Sequence, residues 1–200
     1  MHTMIKKYNI YNYQDILNNE DLKQKVLEKY GDINVNFDGW YNFIIAEWTE
    51  KLEQLGFIDP LICFTGFYSQ GDGASFTADI DIKLAAQKSE LFTVREINLL
   101  YTLWNYGLIE AGIKRITYHY CHENTTALEC YDGQLKISWT HIQKVVNKLW
   151  KYLEKIRYNL SKEIFKDLET EYNYLTDETT ILETLKINEY EFYENGSIIC

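Results

Sequence analysis

Two strand-like runs meet at a glycine-rich turn, and this arrangement limits the fold more than any other stretch of the chain. Leu61–Tyr68 reads as a strand. Ser75–Leu84 sets Phe76, Ala78, Ile80, Ile82 and Leu84 against Thr77, Asp79, Asp81 and Lys83, the two-residue period of a half-buried strand with one polar face. Between the runs, Gly66, Gly71 and Gly73 are three of the ten glycines and fall within eight residues. Glycine serves where the backbone takes positive φ or where another group approaches it closely. The spacing predicts an antiparallel hairpin closed by this loop.

The remaining elements read as helices and a second hairpin. Residues 14–29 carry Ile16, Leu17, Val26 and Leu27 at helical spacing and stop at Gly31. Asp38 reads as an N-cap for a helix over 39–55, whose stripe is Trp40, Phe43, Ile44, Trp48, Leu52 and Leu55, with Gly56 just past its end. Asp59-Pro60 reads as a turn. Thr93 and Glu96 form a capping box for a helix running to about Glu110, with Gly112 as its breaker. Arg115–His122 and Thr126–Tyr131 read as antiparallel strands, Asp132-Gly133 as a turn, and Leu135–Trp139 as a continuation of the sheet. A long helix follows over 140–174, with Ile142, Val145, Leu149, Leu153, Ile156 and Leu160 as its stripe, then a short helix over 177–187 and a tip at Asn195-Gly196. The pattern predicts one α+β domain over 1–200, a mainly antiparallel sheet flanked by helices, with 1–35 as a peripheral N-terminal part.

Charge narrows the partners. The net charge of −10 argues against direct nucleic-acid binding and against an anionic membrane surface. No apolar run is long enough to span a membrane, and the N-terminus lacks a hydrophobic signal core. Cys63, Cys121, Cys130 and Cys200 contain no C-x-x-C, so reduced cytoplasmic thiols are expected; Cys121 and Cys130 flank the second hairpin, where facing each other is one option and a disulfide is not expected. His141, Lys144, Lys148, Lys151 and Lys155 form a basic stripe on the long helix, whereas residues 163–194 hold ten carboxylates against two lysines. That acidic stretch reads either as solvated faces or as an imitation of a nucleic-acid backbone that fills a partner's basic channel.

Three constellations have chemical potential. In the glycine loop, Tyr68, Ser69, Gln70, Gly71, Asp72, Gly73 and Ser75 read either as ligand contacts, with the N–H groups of 71–74 as an anion nest, or as the ties of a tight hairpin. Asp79 and Asp81 share a strand face and, with Asp72, are candidates for a divalent cation or acid–base pair, against the alternative of a solvated face. His119 and Cys121 share a face by alternation. None of these has the spacing of an established catalytic or metal motif, and no catalytic residue, cofactor or metal site is assigned.

Phe67-x-Ser69-Gln70-Gly71-Asp72-Gly73-Ala74-x-Phe76 resembles the signature of an uncharacterised small-protein family carried by tailed phages and prophages, some members of which bear an "antitoxin" name. Tyr118-His119-Tyr120-Cys121-His122-Glu123 is similar to that family's histidine-containing segment, and Leu168–Thr176 with Asn188–Phe192 adds a third match. The resemblance implies a phage setting and the cytoplasm of an infected bacterium, and transfers no catalytic residue. The resulting expectation is a non-enzymatic accessory protein that binds a basic host defence or nucleic-acid-handling protein, through the glycine loop and through Glu169, Glu171, Asp177 and Glu178. A binder of a nucleotide-like signal at the glycine loop, and a metal-dependent hydrolase using Asp72, Asp79, Asp81 and His119, are the alternatives. The aromatic load leaves room for a homodimer.

Overall fold

The computed structural model describes residues 9–133 and 140–199. The expected strand at 135–139 lies outside them. The fold class is α+β, with seven helices, a four-stranded antiparallel sheet and a two-stranded one among the described residues. Contacts divide the chain into two units, residues 1–41 with 170–200 and residues 42–169.

The larger unit is built on the predicted hairpin. β2 (Phe57–Thr65) and β3 (Gly73–Ile80) pair antiparallel, from Thr65 opposite Gly73 to Phe57 opposite Ile80. β4 (Glu110–Arg115) and β5 (Thr126–Tyr131) complete the order β2-β3-β4-β5. Phe57 and Phe76 meet edge to face in the core, ring centres 5.2 Å apart. Around the sheet lie α3 (Asn42–Gln54), α4 (Ile82–Lys88), α5 (Val94–Asn105) and most of α6 (Thr140–Leu175). The helix α6 buries Val145, Val146, Leu149, Leu153, Leu160, Ile164 and Leu168, close to the predicted stripe. It is held to α3 by a 3.0 Å hydrogen bond from Trp48 Nε1 to Asp167 and by Lys51, which lies over the Trp48 ring and 3.7 Å from Glu163. The predicted capping box at Thr93 and Glu96 is present.

Several local expectations are corrected. Asp59-Pro60 is not a turn but a bulge inside β2, where the register slips between Ile58 and Leu61 and Asp59 has φ 48°. A proline is tolerated there because a bulge spares the N–H that the ladder would need. The strand does not continue to Leu84: Asp81 leaves it to cap α4, accepting a hydrogen bond from Leu84 N–H. The third helix stops at Asn105, and Gly112 sits inside β4, opposite Asp79 and Glu129. The second hairpin therefore begins at Glu110, and residues 116–125 form its loop instead of a strand. In α3 the buried residues are Ile44, Trp48 and Leu52, whereas Phe43 is 56% exposed, and the helix begins at Asn42, four residues after the expected cap Asp38.

In the smaller unit, the helix expected at 14–29 is two helices, α1 (Tyr13–Asn18) and α2 (Glu20–Tyr30). Asn19 breaks it: its extended backbone ends α1 while its side chain caps α2. The helix α7 (Glu178–Ile187) and a short ladder between β1 (Ile10–Tyr11) and β6 (Phe192–Tyr193) complete the unit. Its core is Ile16, Leu22, Val26, Ile181, Leu182, Leu185 and Phe192. No helix among the described residues is long and apolar enough to cross a membrane.

Candidate functional site: a pair of interlocked loops

The hairpin loop 66–72 and the loop 116–125 are brought together by what their glycines lack. A Cβ at Gly71, where φ is 95°, would sit 2.6 Å from the Tyr120 ring, and a Cβ at Gly73 would sit 2.6 Å from His122 Cα. The glycines are thus spent on close approach of the second loop. The Asp72 carboxylate folds back inside its own loop. It accepts the Ser69 N–H at 2.6 Å and covers Gly66, where a Cβ would meet it at 2.7 Å. The Asp72 N–H donates to the Ser69 carbonyl, so this member of the expected 71–74 nest is engaged within its own loop, while Gly73 and Ala74 belong to β3.

Beneath the loops runs a chain of polar contacts. Ser75, fully buried, has its hydroxyl 3.1 Å from the Thr125 hydroxyl and 3.5 Å from the Cys63 sulfur. Thr125 donates in turn to the His122 carbonyl, through Oγ1 at 2.7 Å and through its N–H at 2.9 Å. Ser75 is therefore an internal strut, not a ligand contact. Arg115 donates through Nη2 to the sulfurs of Cys63 and Cys121, at 2.6 and 2.8 Å. Burial pushes the Cys121 thiol up to about 11, with Cys63 adding to the rise and Arg115 opposing it. From α6, Arg157 is 4% exposed. It donates to the Glu123 carbonyl and the Thr126 hydroxyl while pairing with Glu154 at 2.6 Å. That hydrogen bond holds the Glu154 carboxyl below its usual range. Phe67 stacks on Phe165 of the same helix at 5.6 Å.

On top of this support lies a small polar pocket of about 480 Å³, lined by Gln70, Gly71, Asp72, Tyr120, His122 and Glu123. The His122 ring accepts the Asn124 N–H on Nδ1 at 3.2 Å, which leaves Nε2 as its other hydrogen-bonding atom. On the same two loops Tyr68 is 75%, Ile116 62%, Tyr118 83% and Tyr120 49% exposed.

Residues 40–178 match the model of a family described as a domain of unknown function, DUF8835. The chain belongs to this family. The family segment contains both loops, the whole four-stranded sheet and α6. No curated protein and no solved structure matches the chain.

The other expected site residues are dispersed. Asp79 pairs with Lys114 at 2.7 Å, and Asp81 is a helix cap. His119 lies exposed in the 116–125 loop, so the strand alternation that joined it to Cys121 does not exist. No group of three His, Cys, Asp or Glu side chains able to hold a metal ion occurs among the described residues, and the proposed set of Asp72, Asp79, Asp81 and His119 is not one cluster. Cys130 is exposed and opposite Ala111, whereas the neighbour of Cys121 is Cys63. Among the acidic residues, Asp177 caps α7 through the Thr179 N–H, Glu178 is ion-paired with Lys23, and Glu169 and Glu171 are half-buried. The sequence reading missed Arg115 and Arg157. The latter had a visible signal: it is an arginine on the apolar face of α6, one helical turn from Leu153 and three residues from Leu160.

Proposed function

We propose that this chain is a non-enzymatic accessory protein of phage type that works by binding a host protein, and that the contact surface is the interlocked loop pair. The observation that carries this reading is the exposure of Tyr68, Ile116, Tyr118 and Tyr120 on loops whose backbones are fixed from below by Ser75, Thr125 and Arg157. Exposed aromatic rings on a preorganised base supply large contact area at small ordering cost, the usual make-up of binding hot spots. The proposed partner is a host defence or nucleic-acid-handling protein in the bacterial cytoplasm. The acidic stretch has less support as the main contact, because Asp177 and Glu178 are spent on a helix cap and an ion pair. The second reading, a small polar ligand between Gln70, Tyr120 and His122, is favoured by the 480 Å³ pocket.

The test is crosslinked affinity capture from the bacterial host, read by mass spectrometry with four proteins: wild type, Tyr68→Ser/Tyr118→Ser, Glu169→Gln/Glu171→Gln, and Gln70→Ala. A host protein captured by the wild type and the acidic variant, and depleted at least tenfold with the tyrosine variant, supports the loop surface. Capture lost only with the acidic variant moves the contact to the acidic stretch. A small mass adduct that disappears with Gln70→Ala, without any protein partner, replaces the proposal by the ligand reading.

A further inference from the structure

The basic stripe read on the long helix forms one wall of a groove in the larger unit. Lys144, Lys148, Lys151 and Lys155 line a hollow of about 790 Å³ between α6 and the segment joining α4 to α5. They follow one another at steps of four, three and four residues along one helix face, covering about 16 Å of its length at 1.5 Å per residue. Leu91, Tyr152 and Ile156 give the groove an apolar lining, and Asn147 and Asn159 add amide groups. No carboxylate is among the lining residues.

The two walls are pinned to each other. Lys148 donates to the Leu91 carbonyl at 2.9 Å, lies 3.3 Å from a Glu96 oxygen and sits over the Phe92 ring at 4.5 Å. Glu96 is already engaged by its capping box, whose backbone hydrogen bond from Thr93 holds its carboxyl below the usual range. The opposite wall is equally set: the Ser89 hydroxyl donates to the Ala86 carbonyl and accepts the Leu91 N–H. Lys148 is therefore structural. Lys144, Lys151 and Lys155 make no ion pair among the described residues. Three ammonium groups with no ion pair among the described residues thus line one hollow in a chain whose net charge is −10, and two of them, on Lys151 and Lys155, also border a second hollow beside Glu154.

We propose that this groove is a binding site for a small organic polyphosphate of the nucleotide class, with its phosphates on Lys151, Lys155 and Lys144 and its apolar ring against Leu91, Tyr152 and Ile156. The volume lies in the range of small-molecule sites, which join apolar walls to a few placed polar groups. Lysine is a common phosphate partner as a point charge. A long nucleic acid would extend into the field of the acidic remainder of the protein, whereas a small anion responds to the potential within about 8 Å of the lysines. An extended acidic peptide would need backbone hydrogen-bond partners along its length, and the lining comes from helix side chains and one short segment, with no strand of the sheet contributing.

Isothermal titration of the full chain with ATP, GTP, CTP and UTP, inorganic tripolyphosphate, adenosine and a heptaglutamate peptide tests this. The expected result is micromolar binding of at least one nucleoside triphosphate, tighter than tripolyphosphate. Lys151→Ala/Lys155→Ala should weaken it at least tenfold, and Lys162→Ala, outside the groove, should not change it. Leu91→Ala should weaken the nucleotide at least threefold and leave tripolyphosphate unchanged. All four side chains changed are on the surface, and an unchanged circular dichroism spectrum checks the fold. Absence of binding by all four nucleotides at 1 mM overturns the proposal. So does tripolyphosphate binding as tightly as any nucleotide, which would mark a bare electrostatic patch. Heptaglutamate binding more tightly than the nucleotides, and lost with the same lysines, would make the groove a seat for an acidic protein segment.

Discussion

Gly73→Ala is the substitution that most directly tests the interlocked loops. The added methyl would begin 2.6 Å from His122 Cα, and ordinary van der Waals contact begins at about 3.4 Å. The 116–125 loop must therefore retreat by about 1 Å, because the obstacle is backbone and cannot rotate away. That retreat works against the Thr125 hydroxyl, bonded at 2.7 Å to the His122 carbonyl and 3.1 Å from Ser75, and against Arg157 on Glu123. Overpacking of this kind costs about 1–3 kcal/mol. For a chain of this size that is a loss of roughly 2–12 °C in melting temperature. Differential scanning calorimetry gives the number, and NMR shifts of the Tyr120 and His122 rings locate it. If Gly73→Ala melted with the wild type and left both rings' resonances in place, the close approach would not be what the glycine is for, and the loop pair would lose its rigid base.

Three further outcomes follow from the same geometry. Arg157→Ala should cost about 2–4 kcal/mol in chemical denaturation, because it orphans the Glu123 carbonyl and the Thr126 hydroxyl under the loop; a cost under 1 kcal/mol would show that water replaces the guanidinium without loss. Asp177→Ala should cost about 1 kcal/mol through the lost cap of α7, and Glu178→Gln less than that, since its pair with Lys23 is partly exposed; hydrogen exchange at α7 reads both. The Cys121 thiol, raised to about 11 from 9.0, holds its proton in the folded state where the unfolded chain has lost it. Its contribution to stability is present below pH 9 and is lost as the pH climbs from 9 toward 11. Iodoacetamide labelling followed by mass spectrometry should find Cys121 slow at pH 8, and rapid labelling there would refute the burial argument.

The sequence exposed what depends on period and on local caps, and hid what depends on distant neighbours. The β2–β3 hairpin, the long helix α6 and the Thr93–Glu96 box were legible because each is written within one turn or one strand. The glycine loop was legible as a place of positive φ or close approach, but not which groups approach: Gly71 and Gly73 make room for Tyr120 and His122, some 50 residues away. Asp72, read from the sequence as a ligand contact, lines the pocket and also ties its own loop by accepting the Ser69 N–H, a local role the spacing did not show. The run Ser75–Leu84 kept perfect alternation past the point where the strand ends, since Asp81 can end a strand and begin a helix with the same side chain. The loop at 116–125 carried strand-forming tyrosines, and burial of Thr125 and Arg157, with the Arg115 hydrogen bond to the Tyr120 carbonyl, overrode that local preference.

The bulge at Asp59-Pro60 has a consequence for how copies of this protein behave in a crowded cell. β2 is an outer strand of the sheet, and Ile58 and Leu61 are 42% and 72% exposed on it. A straight outer strand with such side chains invites another chain to zip onto it. Here the register slips between those two residues, Asp59 turns to φ 48°, and Pro60 offers no N–H. An incoming strand can match the edge on one side of the slip but cannot carry its hydrogen bonds across it. The irregularity works as a built-in stop against edge-to-edge growth, and replacing Asp59-Pro60 by two regular strand residues should trade solubility for a straighter sheet.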